Sequence, residues 1–101
     1  MHSEIDAAEL LKRLATGEKL NLLDVRGEIE YHTYNIGGKN MSLHLLEEHA
    51  ENISPNKNEE IIVVCSAGLR STAAATLLTE KGYKNVKNLA GGLLALQKIK
   101  H

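Results

Sequence analysis

One hundred and one residues with a formal net charge of −1 fit one domain with one core, and no basic run exceeds a pair, which excludes the clustered surface that nucleic acids need. Apolar content is 43% with no Phe, no Trp and three tyrosines, so the core must be aliphatic, and no apolar run is long enough to span a membrane. The single cysteine excludes an internal disulfide and a cysteine-only zinc site, and a free thiol behind an N-terminus without a signal-peptide pattern predicts a reducing, cytoplasmic setting.

In chain order, Asp6 to Ala15 predicts the first helix. Asp6 can cap it, Glu9 completes a capping-box pattern, and Gly17 can end it. Ala7, Leu10, Leu11 and Leu14 then share its apolar face. Asn21 to Val25 (NLLDV) predicts a short buried strand, and Gly27 to Tyr34 a short helix. Gly37-Gly38 makes a turn before an extended piece near Asn40. Leu43 to Ala50 follows as a helix, with Pro55 in the loop after it. Glu60 to Val64 (EIIVV) is the plainest strand, β-branched and apolar as a strand covered on both faces must be. Ser71 to Lys81 is the plainest helix, with Ala74, Leu77 and Leu78 on one side and Gly82 as its stop. Ser71 and Thr72 are expected to cap it. Asn85 to Leu89 predicts a last strand and Gly92 to Lys100 a last helix, whose Lys98 and Lys100 suit its negative end.

Strands alternating with helices predict an α/β domain: a small parallel sheet of about five strands with helices on both faces and right-handed crossovers. Such sheets place ligands at the carboxyl ends of strands. Cys65 is the first residue past the carboxyl end of the plainest one.

Between that strand and the next helix runs Cys65-Ser66-Ala67-Gly68-Leu69-Arg70-Ser71. The small residues Ser66, Ala67 and Gly68 let the backbone curl so that its N–H groups surround an anion. The helix behind adds unsatisfied N–H groups and the positive end of its dipole, and Arg70 adds a full charge. The competing reading is a buried, inert cysteine. An ordinary thiol titrates near pH 8.5, and lowering that by about two units takes roughly 2.7 kcal/mol. A helix dipole supplies about 0.3–1 kcal/mol, at most about 2. Loop amides and Arg70 must supply the remainder, so loop shape decides the matter. The position, the small residues and the arginine favour a reactive Cys65 that solvent can reach.

This loop resembles the active-site loop of the rhodanese-like domains. Leu23-Asp24-Val25-Arg26 followed by Glu30-Tyr31 is similar to the family's first signature, and Ile36-Gly37-Gly38-Lys39-Asn40 to its glycine turn. Lys84-Asn85-Val86 with Asn88-Leu89-Ala90-Gly91-Gly92 is similar to its C-terminal signature. The resemblance covers nearly the whole chain and implies a single rhodanese-like domain over 1–101. It further implies a sulfurtransferase with Cys65 as catalytic nucleophile and with Ser66, Ala67, Gly68, Leu69, Arg70 and Ser71 binding the substrate sulfur. Cys65 would take the outer sulfur of thiosulfate or a persulfide, and cyanide or a thiol would remove it. Two half-reactions through a covalent persulfide imply ping-pong kinetics without metal or organic cofactor. The partners implied are a small-molecule or protein sulfur donor and a thiol acceptor, with no nucleic acid and no membrane, for a monomer or weak homodimer.

A persulfide carrier, loaded by a partner and turning over little, is the second reading. A phosphatase or arsenate reductase is the third. Those relatives carry one more residue between cysteine and arginine than the four that separate Cys65 from Arg70. The tighter ring should suit a sulfur atom better than a phosphate. The chain departs from the family at Asn35, where many relatives have histidine, at Lys39, where many have a small residue, and at Leu96, where many have tryptophan. Leu69 is apolar and Arg70 is the loop's only charge, which makes a persulfide at least as plausible a donor as the thiosulfate dianion.

Two roles are open to Asp24, Arg26 and Glu30: a general base at Asp24, or a fixed ion-pair network that supports the loops near Cys65. The structural role is the expectation. None of His2, His32, His44, His49 and His101 lies in a recognisable motif, and no metal site is expected. Gly91-Gly92 reads as the turn into the last helix, since the fuller glycine fingerprint of a phosphate site is missing.

Overall fold

Four consecutive β-branched residues need cover on both sides, and Ile61–Val64 (β4) has it: it lies in the middle of a five-stranded sheet with all four residues buried. The computed structural model describes residues 2–99. Its strand order is β1 (Ser3–Ile5), β5 (Val86–Leu89), β4, β2 (Leu22–Asp24), β3 (Lys39–Asn40), with every neighbouring pair parallel.

Side chains alternate across a strand, so β4 feeds two cores. Ile61 and Val63 join Leu23, Leu46, Ala74 and Leu78 under α3 (Leu43–His49) and α4 (Leu69–Glu80). Ile62 and Val64 join Ile5, Leu10, Leu22, Leu89 and Leu96 under α1 (Ala7–Ala15) and α5 (Gly92–Ile99). Leu96, one of the positions at which the chain departs from the resemblance, is fully buried there. The short α2 (Glu28–Thr33) buries none of its residues and follows the carboxyl end of β2. No helix among the described residues is long and apolar enough to cross a membrane.

Most of the anticipated elements are present with ends moved by a residue or two. Asp6 caps α1, its carboxylate accepting the Glu9 N–H at 2.7 Å. Leu43 to Ala50 stops as an α-helix at His49 and continues as a 3-10 turn over Ala50–Asn52. The last helix runs to Ile99; Lys100 and His101 lie outside the described residues. Two differences matter more. The strand β1 was not anticipated: of its three residues only Ile5 is buried, so it carries no readable alternation, and pairing with β5 creates it. The helix expected from Ser71 begins at Leu69 instead. Ser71 and Thr72 do not cap it; they sit in its first turn, and the N-cap is Gly68 at φ +100°.

Candidate active site

That early start has a chemical cause. A helix needs acceptors for its first N–H groups, and Gly68 has no side chain to offer one. The sulfur of Cys65 takes that place: Sγ accepts the Gly68 N–H at 3.0 Å and the Ser71 N–H at 3.3 Å. The thiol is therefore inside the first turn of α4; the displaced Thr72 hydroxyl bonds back to the Gly68 carbonyl at 2.7 Å, and the Ser71 hydroxyl oxygen lies 3.3 Å from the same carbonyl.

The opposite side of the loop is held by α5. The Leu93 N–H donates to the Cys65 carbonyl at 2.9 Å and the Leu94 N–H to the Ser66 carbonyl at 3.0 Å. These two bonds anchor the start of the loop on α5, and the N–H groups that reach sulfur, those of Gly68 and Ser71, follow from the far side of the curl. Gly92, at φ +64°, makes the approach feasible: a Cβ there would lie 2.6 Å from the Cys65 carbonyl oxygen. Gly91-Gly92 is thus both the turn into α5 and the surface on which the loop rests.

Cys65 is 1% exposed. This corrects the expectation that solvent would reach the sulfur: the amides do face it, but the loop and the inner core enclose it. Around the loop, Glu30 of α2 binds Arg70 through two bonds, at 2.6 and 2.9 Å, and accepts the Ser66 hydroxyl at 3.4 Å. Arg70 thus sits at the rim and makes no bond to sulfur. Its charge is neutralised by Glu30. Leu69, 84% exposed, projects outward.

Asp24 and Arg26 are a separate, buried pair at the end of β2, 1% and 5% exposed. Asp24 Oδ1 accepts both the backbone N–H and Nε–H of Arg26 at 3.0 Å, and Oδ2 accepts Nη2–H at 2.8 Å. Arg26 also donates to the Tyr34 carbonyl at 2.6 Å, pinning the end of α2. The Arg26 guanidinium is held charged by these bonds against the effect of burial. Both carboxylate oxygens of Asp24 are thus engaged by Arg26. Asp24–Arg26 and Glu30–Arg70 are therefore two separate ion pairs, the first at the end of β2 and the second between α2 and the loop.

Two open hollows flank the loop. One, of about 350 Å³, is lined by Arg26, Ile29, Glu30, Tyr34, Ser66 and Leu94 among others. The other, of about 460 Å³, borders Val25, Glu30, Leu43, His44 and Arg70. Glu30 borders both. Among the described residues no group of three or more His, Cys, Asp or Glu is placed to hold a metal ion.

Sequence reasoning passed over two residues next to the site. Asn88 on β5 accepts the Ser71 hydroxyl and donates to Glu4 on β1. The available signal was an asparagine inside a buried strand, since a buried amide must have partners. Glu4 gave no signal, because its strand was not readable.

Glu30 yields a pH prediction. Hydrogen bonds from Arg70, then from the Gly27 N–H, push its carboxyl down from 4.5 to about 2. An acid lowered on folding stabilises the fold above its unfolded value and loses that contribution as pH falls toward its folded value. Both side chains are exposed, at 39% and 41%, so the pair is worth about 1 kcal/mol or less. Glu30→Gln is expected to be less stable than the parent by that amount at pH 7, and the difference should close between about pH 4.5 and about pH 2. Urea unfolding at three pH values checks it; a difference that survives at the acid end would place the effect outside the ion pair.

Comparison with known proteins adds the following. The family model for the rhodanese-like domain matches residues 6–99. A sulfurtransferase of Allochromatium vinosum is 33% identical over 96 residues, 94% of this chain and 88% of that protein. The thiosulfate sulfurtransferase PspE of Escherichia coli is 37% identical over 81 residues, 77% of each. YrkF of Bacillus subtilis, named for sulfur carriage, is 34% identical over 91 residues, 89% of this chain but 48% of that protein, so the chain spans about half of that longer relative. Among solved structures, the rhodanese-like domain of the Anabaena Alr3790 protein superposes with a TM-score of 0.85 at 32% identity, covering 98% of this chain and 76% of that one.

Proposed function

The chain belongs to the rhodanese-like domain family, and we propose that it is a cytoplasmic sulfurtransferase that carries sulfur as a persulfide on Cys65. The observation that carries this reading is the sulfur inside the loop, accepting two backbone N–H groups. Donors so placed stabilise negative charge on that atom without reorganising. The Cys65 thiolate attacks the outer sulfur of a donor. The bond between that sulfur and the donor breaks, and its electron pair leaves with the donor, as sulfite when the donor is thiosulfate. An acceptor thiolate or cyanide then attacks the same sulfur, the persulfide bond breaks, and the electron pair returns to Sγ. Each half-reaction leaves a stable enzyme form, so the kinetics are ping-pong.

The rim favours a persulfide donor over thiosulfate. Arg70, the loop's cation, is already paired with Glu30, and a dianion would have to displace that carboxylate. Leu69 and Ile29, 84% and 83% exposed, offer apolar surface to a partner protein or an uncharged donor instead. The same pairing leaves the loop itself no free cation for a phosphate, which argues against phosphatase chemistry.

The carrier reading remains the alternative, and the enclosed sulfur favours it: a site at 1% exposure would load only when a partner opens the loop. The test is intact-mass measurement after treatment with thiosulfate, a small persulfide or a persulfide-bearing protein, repeated after reductant. A gain of one sulfur atom, reversed by reductant, is expected. Substantial thiocyanate production from thiosulfate and cyanide marks the enzyme, whereas loading with negligible turnover marks the carrier. No gain from any donor overturns both.

A further inference from the structure

Asn88 is 2% exposed, lies beside the loop, and has no part in the chemistry just described. Its Nδ2 donates to a carboxylate oxygen of Glu4 at 2.9 Å and to Thr72 Oγ1 at 3.0 Å. A carboxylate can only accept, so Glu4 fixes which way round the amide lies. Thr72 confirms the orientation, because its own proton is committed to the Gly68 carbonyl. Asn88 Oδ1 therefore faces Ser71 Oγ and takes its proton in preference to the Gly68 carbonyl, which lies farther off at 3.3 Å and already accepts from Thr72. A serine hydroxyl has one proton. Ser71 Oγ lies 3.3 Å from Cys65 Sγ, and with its proton on Asn88 it can only accept the thiol S–H.

We propose that Asn88, oriented by Glu4, is a positioning residue that withholds the Ser71 proton from Cys65 and so keeps the resting sulfur in its thiol form. The proposal rests on Cys65 being the nucleophile. Ionisation leaves Sγ with two donors, the Gly68 and Ser71 N–H groups. A third becomes available only if the Ser71 hydroxyl rotates toward sulfur, and that rotation strands the buried Asn88 oxygen without a partner. The charged and titratable groups around the site are Arg70 of α4 with Glu30 of α2, Asp24 and Arg26 beyond β2, His44 across the second hollow, and Glu4 behind Asn88. None of them bonds to Sγ, whose partners among the described residues are Gly68 and Ser71 alone. The state of the thiol is thus set locally by where one hydroxyl proton points.

The experiment reads the lone cysteine directly. The rate of its alkylation by iodoacetamide and its thiolate absorbance are followed across pH in the parent, Asn88→Ala, Ser71→Ala and the double variant. Asn88→Ala should react about fivefold or more faster at pH 7 and converge with the parent at high pH, where both thiols are fully ionised. The gain should vanish in the double variant, because it passes through the Ser71 hydroxyl. A gain that persists without Ser71 reports a loosened loop and overturns the proposal, as does an unchanged or slower Asn88→Ala. Should Asn88→Ala fail to fold, Glu4→Gln on the exposed edge strand serves in its place. It frees the amide to turn over, so a gain of about twofold, again lost with Ser71→Ala, is expected, and no gain overturns the proposal. Sulfur loading is not part of this readout, so its failure and a failure here are distinguishable.

Discussion

Cys65→Ala is expected to reduce sulfur loading to zero and thiocyanate production to the uncatalysed background. The chain has no second thiol to substitute, and a covalent route without its nucleophile has no first step. The same substitution should also cost stability, because Sγ is the acceptor that the first turn of α4 uses. Alanine leaves the Gly68 and Ser71 N–H groups unpaired in a buried place, a loss of about 1–3 kcal/mol. Cys65→Ser separates the two effects: its hydroxyl can accept those bonds, so it should unfold near the parent midpoint in urea and still load no sulfur. Residual loading in either variant would move the reaction off Cys65 and end the transfer reading. A serine variant as unstable as the alanine one would mean that sulfur does not cap the helix.

Much of this site was legible because its parts are short and contiguous. A strand of β-branched residues, a run of small residues and an arginine lie within ten positions, and local chemistry is enough to order them. Cys65 at a strand end and Gly91-Gly92 as a turn needed no knowledge of distant contacts. The enclosure of the sulfur did need it. Burial of Cys65 depends on the core that Val25, Ala74 and Ala75 build around it from other elements. The capping of α4 was misread for a related reason: Ser71 and Thr72 are good caps by type, but a sulfur atom six residues before Ser71 had already taken the role. Glu4, whose strand exists only because β5 offers it an edge, could not be read at all. The residues that set a proton's direction here come from three elements far apart in the chain, and only the fold brings them within reach of the loop.

Gly92→Ala should have a large effect on fold and site together. Gly92 combines two constraints that are separable elsewhere in the chain. Its φ of +64° is left-handed, which costs a residue with a side chain about 1–2 kcal/mol. Its Cβ would also lie 2.6 Å from the Cys65 carbonyl oxygen and 2.5 Å from the Ser66 carbonyl carbon, all rigid backbone. Relieving such overlap costs a further 1–3 kcal/mol or so. Gly37, at φ +96° with nothing within 4 Å of an added Cβ, carries only the first constraint. Gly37→Ala is therefore expected to lose about 1–2 kcal/mol and Gly92→Ala about 2–5 kcal/mol. The latter amounts to a fall in Tm of about 10 °C or more for a domain of this size. Loading should fall further than the unfolded fraction accounts for. The carbonyls pushed aside are those that the Leu93 and Leu94 N–H groups hold, and they anchor the loop that carries the Gly68 N–H to sulfur. Measuring loading at a low temperature, where Gly92→Ala is folded, isolates that part. If Gly92→Ala proves no less stable than Gly37→Ala, or loads normally once folded, then the contact between α5 and the loop is not what shapes the cradle.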